Sequence, residues 1–198
     1  TSNLGLLALE SAGIQWDGKT PPVTDGHLQM AGGVYLVGDA VGAGAFTHMS
    51  MYHANIVAGH ILARHSGGSD RGTAENNAVP NVTFTDPEIG SVGLSEKQAR
   101  DAGLDVATGF TELPASSRGW IHKVGNEGFI KLVMDRSTKT LVGATSVGPW
   151  GGEVLSMLTL AVHAKIPVAT LESMIYAYPT FHRAIPEALA DLAKNAAE

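Results

Sequence analysis

The chain has 198 residues, with 13 Lys and Arg against 19 Asp and Glu, a net charge of −6; that balance offers no basic field for a phosphate backbone and argues against nucleic-acid binding. No apolar run reaches the ~18 residues of a membrane span, and the absence of cysteine excludes a disulfide framework, Cys-ligated zinc and thiol redox chemistry within these residues. Charged residues make up 16%, under the roughly 25% of an average globular chain, so much surface is expected to be buried against something else.

The chain begins at Thr1 rather than Met, and Leu4, Leu6, Leu7 and Leu9 beside Gly5 and Gly13 read as mid-domain sequence. A piece of a longer protein is therefore expected, and, with no signal-peptide pattern, a cytoplasmic one. Thr20 to Asp25 reads as a Pro-containing turn or a short strand. Val34-Tyr35-Leu36-Val37 is continuously apolar and suits a buried parallel strand ending at Gly38-Asp39. A helix is predicted from Thr47 to Ala63, with Ile56, Val57, Ile61 and Leu62 as its apolar residues. Residues 66–77, SGGSDRGTAENN, have the composition of a linker.

Beyond it an α+β pattern is predicted. Val82 to Phe84 and Ser91 to Leu94 read as strands around a turn at Thr85 to Glu88. Ser95-x-x-Gln98 is a capping box that starts a helix ending at Gly103. Val106 to Phe110 reads as a strand. Phe129 to Met134 and Leu141 to Val147 flank a polar turn and read as a hairpin. A helix over Val154 to Ala164 stops before Pro167, and Ile185 to Ala193 forms the last helix.

Few residues stand out chemically. Ligands of open α/β sheets bind beyond the carboxyl ends of strands, so Asp39 reads either as a ligand contact or as a turn residue. Gly42-x-Gly44 is an incomplete dinucleotide fingerprint, since position 47 is Thr. Of the eight histidines, His53 and His60 are spaced to share a helix face but lack a nearby third ligand, so no metal site is expected. There is no G-x-S-x-G and no phosphate-binding G-x-x-x-x-G-K-[ST].

Three segments carry a resemblance. GGVYLVGDAVGAGAFTHMSMYHA (32–54), VPNVTFTDPEIGSVGLSE (79–96), and GFIKLVMDRSTKTLVGATSVGPWGGEVL (128–155) followed by YAYPTFHRAIPEAL (176–189) resemble, in order and spacing, the C-terminal part of the flavin-dependent pyridine nucleotide–disulfide oxidoreductases. The resemblance covers essentially the whole chain. It implies the end of an FAD-binding α/β domain over 1–66, a linker over 67–78 and an α+β dimerisation domain with an antiparallel sheet over 79–198. It implies FAD and NAD(P)H as cofactors, a homodimer formed through 79–198, and a disulfide, a metal ion or a quinone as electron acceptor.

By the same resemblance Asp39 matches the aspartate that hydrogen-bonds the FAD ribityl chain, with Gly38 giving it room. Phe46-Thr47-His48 matches the helix start that faces the flavin pyrimidine. The family's redox Cys pair and its G-x-G-x-x-G for the ADP part of FAD are absent from these 198 residues, so the chain alone is not expected to complete a catalytic cycle. The family's proton-relay His and its orienting Glu are replaced by Tyr178 and Arg183. Tyr178 then stands either on the acceptor side, from the partner subunit, or as a packed interface aromatic, with neighbouring His182 a candidate substitute for the missing base. The competing reading is a dimerisation module without catalysis.

Overall fold

The computed structural model describes residues 3–197; Thr1, Ser2 and Glu198, which the expected domain limits include, lie outside the described residues. The chain divides into two compact units, residues 1–76 and 77–198.

The first unit opens with two short 3-10 turns, Leu4–Leu6 and Leu9–Ala12. Leu4, Leu9, Ile14 and Leu36 bury together in a small apolar cluster, with Trp16, Met30 and Val34 packed against it. Strands β1 (Gln29–Ala31) and β2 (Val34–Tyr35) pair antiparallel across Gly32-Gly33. This corrects the expected buried parallel strand over 34–37. The near partner is the strand just before the Gly-Gly turn, which forces antiparallel pairing, and Val37 is exposed. A 3-10 turn, Gly38–Val41, leads into helix α1 (Thr47–Ser66). Met49, His53, Ile56 and Gly59 form its buried stripe, a spacing of three and four residues that keeps one helical face inward. The helix ends at Gly67, whose φ of 68° is the left-handed cap that glycine adopts without strain.

Residues 67–76, linker-like in composition, are tied to this unit. Ala74 N–H donates to Gly26 O at 2.8 Å, and Glu75 N–H donates to the Tyr52 hydroxyl at 2.9 Å.

The second unit is an α+β domain built on a five-stranded antiparallel sheet. Its strands are β3 (Pro80–Thr83), β4 (Glu88–Gly93), β5 (Val106–Glu112), β6 (Phe129–Asp135) and β7 (Thr140–Gly148), in the order β3-β4-β7-β6-β5. Helix α2 (Glu96–Asp101) carries the chain from β4 to the far edge at β5. The capping box that starts it is formed: Ser95 Oγ accepts from Gln98 N–H, and the Gln98 side chain accepts from Ser95 N–H. Two further short helices, α3 (Ser117–His122) and α5 (Val168–Ser173), were not expected.

Helices α4 (Gly151–His163) and α6 (Ile185–Ala196) cover one face of the sheet. Ile130, Leu132 and Met134 point into that core with Leu155, Leu158, Leu189 and Leu192. Val133 instead joins Ala99 and Val106 in a smaller cluster, the two-residue alternation of a strand with both faces covered. Glu88 Oε2 accepts from Gly152 N–H at 3.0 Å, placing a carboxylate at the start of α4, where the helix dipole favours it. Among the described residues no helix is long and apolar enough to cross a membrane.

Candidate functional site

In the first unit the residues singled out from sequence cluster around the entry to α1. Gly38 has φ of 66°, a left-handed conformation that favours glycine. A Cβ there would stand 2.4 Å from Ser50 Oγ. Gly38 N–H donates to His53 Nδ1 at 3.1 Å, and His53 Nε2 lies 3.4 Å from Asn76 Oδ1. His53 is completely buried. Because Nδ1 accepts, the ring is neutral, with its proton on Nε2 toward the Asn76 oxygen.

Asp39 follows immediately and is exposed. Its backbone oxygen accepts from Gly42 N–H at 3.1 Å, so the turn closes through the main chain and leaves the carboxylate without a hydrogen-bond partner among the described residues. Eight residues after Asp39, α1 starts at Thr47 with Phe46 as its N-cap, and no side chain caps it. Helix starts carry N–H groups in need of acceptors and a positive dipole end. The Phe46 and His48 rings stack at 5.2 Å with 7° between their planes, and Thr47 is exposed.

In the second unit Tyr178 is exposed at 70%, and among the described residues its hydroxyl has no hydrogen-bond partner. His182 Nε2 pairs with Thr180 Oγ1 at 3.2 Å. Buried Phe181 packs on His122 and Trp150, with ring centroids 5.5 and 5.4 Å away, and Arg118 lies 5.7 Å above it. Tyr176 donates its hydroxyl to Leu171 O at 2.9 Å, and burial pushes this phenol's pKa up. Tyr178 thus projects from a segment whose neighbours, Tyr176 and Phe181, are anchored.

His53 and His60, spaced to share a helix face, have different partners in the folded chain. His53 turns inward to Gly38, whereas His60 meets His27 and Asp70, one donor atom from each lying within 4.8 Å of the others. The missed partners are 33 and 10 residues from His60, so no local spacing shows them.

A five-stranded antiparallel sheet with two helices across one face defines the second unit as an α+β domain, and the family model described as pyridine nucleotide-disulphide oxidoreductase, dimerisation domain, matches residues 79–189. The chain belongs to the pyridine nucleotide–disulfide oxidoreductases. It is 34% identical to a dihydrolipoyl dehydrogenase of Thermus scotoductus over 191 residues, 96% of this chain and 40% of that protein. It is also 34% identical to a mercuric reductase of Staphylococcus aureus over 179 residues, 90% of this chain and 32% of that one. Its fold superposes on LpdA of Mycobacterium tuberculosis with a TM-score of 0.80 at 26% identity, covering 96% of this chain and 40% of LpdA. The chain therefore spans two-fifths or less of these relatives' length.

Proposed function

We propose that this chain serves an FAD-dependent, NAD(P)H-using oxidoreductase of the cytoplasm. In this reading residues 1–66 close the FAD-binding domain, 67–78 connect, and 79–198 dimerise. The observation that carries the flavin assignment is the exposed, unpartnered Asp39 carboxylate beside a glycine turn and an uncapped helix start. That donor set fits FAD: Asp39 would accept hydrogen bonds from ribityl hydroxyls, and Gly38, which lets the turn pack against Ser50 and His53, would hold Asp39 in place for them. Phe46, Thr47 and His48, at the helix start, would hold the electron-rich pyrimidine edge, where a helix start favours negative charge. When bound, FAD takes a hydride from NAD(P)H and passes electrons to the acceptor.

Tyr178 and His182 line the acceptor side in the partner subunit's site. With Tyr178 and Arg183 at the positions of the family's His and Glu, this chain holds no imidazole–carboxylate relay there. The acceptor is a disulfide, a metal ion or a quinone. The test is Asp39→Ala in the flavin-containing enzyme: the ratio of flavin to protein absorbance is expected to fall several-fold, and full flavin occupancy would overturn the assignment.

A second reading, a dimerisation module without catalysis, is favoured by the apolar exposure of the second unit. Trp120, Val124 and Ile175 are 76%, 93% and 98% exposed, side chains suited to interface cores. Self-association with no flavin uptake supports this second reading for the chain by itself; flavin uptake supports the first.

A further inference from the structure

We propose that His27, His60 and Asp70 form a site for a divalent transition-metal ion of the zinc type in the first unit. His27 lies on the turn before β1, His60 in the fourth turn of α1, and Asp70 just beyond the Gly67 cap. His27 Nε2 is 3.2 Å from Asp70 Oδ2, and His60 Nδ1 is 3.9 Å from the same oxygen. Zinc bonds of 2.0–2.1 Å in a tetrahedron set ligand atoms about 3.3 Å apart. Modest side-chain rotations therefore close this set on an ion.

The second observation is at His60. Both of its ring nitrogens are buried with no hydrogen-bond partner among the described residues, although buried polar atoms are nearly always satisfied. An ion bound at Nδ1 supplies the missing interaction. The His27 and His60 rings stack with centroids 4.0 Å apart, which holds the two imidazoles side by side against Asp70. Asp25 adds negative charge nearby: its Oδ1 accepts from His27 N–H and Gln29 N–H at 2.8 and 2.9 Å, which fixes the backbone of the turn that carries His27.

Two imidazoles and a carboxylate suit zinc better than calcium or magnesium, which prefer all-oxygen sets. Asp70 is 45% exposed, leaving room for water as the fourth ligand. Bound there, the ion pins residues 67–76 to α1.

The test is calorimetric titration of the chelator-treated protein with zinc chloride, alongside visible absorption with cobalt(II). The expected result is one ion per chain at micromolar or lower concentration, with a cobalt d–d band and a raised melting temperature. His27→Gln and Asp70→Asn, both at partly exposed positions, are expected to weaken binding at least tenfold, whereas His65→Gln, on the exposed side of α1, leaves it unchanged. No saturable uptake, or uptake unaltered by His27→Gln and Asp70→Asn, would overturn the proposal and leave a plain His–Asp ion pair.

Discussion

The single histidine that organises the first unit is His53. It fills a place in an otherwise apolar stripe of α1 and accepts the Gly38 N–H, so the residue before Asp39 is positioned by a side chain 15 positions away. Replacing it with Phe retains bulk but leaves that buried N–H unpaired, a loss of about 1–3 kcal/mol. Chemical denaturation should show that decrease; an unchanged midpoint would mean that Gly38 does not depend on the ring. Reading along the chain, His53 invites comparison with His60, seven residues on, because helix periodicity is local information. Its actual partners, Gly38 and Asn76, are brought to it only by the fold. The place of Asp39 on an exposed turn, by contrast, is legible in the sequence because Gly-Asp directly follows an apolar run.

Asp135 gives a prediction in pH. Its carboxylate accepts from Ser137 N–H at 2.9 Å, Ser137 O–H at 2.8 Å and Thr138 O–H at 2.9 Å. The Ser137 N–H leads in holding its pKa below the ordinary value, followed by the Ser137 hydroxyl. A carboxylate depressed in the folded state adds stability that is fully present above its unfolded pKa of about 3.9, and that stability is lost as pH falls through the lower folded value. Asp135→Asn should therefore flatten the acid limb of stability below about pH 4. An acid limb identical in the two proteins would show that the turn's bonds do not favour the ionised form.

At the scale of elements, backbone contacts decide where substitutions cost most. Gly109 in β5 lies against α6: a Cβ there would stand 2.1 Å from Ala188 O and 2.6 Å from Leu192 Cβ. Neither atom can swing away, so Gly109→Ala forces the helix outward and should cost about 1–3 kcal/mol, visible in thermal unfolding. Ser95→Ala removes the N-cap of α2 and should cost about 1 kcal/mol. A loss near zero would mean that α2 is held by Ala99 packing alone.

The same elements show why sequence patterns succeed or fail. The capping box, the β6–β7 hairpin and the amphipathic α6 are local patterns, and they appear where expected with ends moved by a few residues. Helices α3 and α5 have six residues each, less than two turns, so neither shows a full apolar period. The β2 expectation failed because continuous apolarity reports burial but not the partner strand, and the chain supplied an antiparallel one.

For the whole molecule, the low charge content and the exposed Trp120, Val124, Ile175 and Tyr178 point the same way. The α4–α6 face of the sheet is already covered from within, so the exposed apolar residues are not spare core of this chain. Together with the dimerisation-domain match over 79–189, they point to self-association, which the acceptor-side role proposed for Tyr178 and His182 also requires. The most direct test is light scattering on the purified protein across micromolar concentrations. A homodimer gives a mass twice that of a single chain, reduced toward one chain by charged substitutions at Val124 and Ile175. A single-chain mass throughout that range would contradict it.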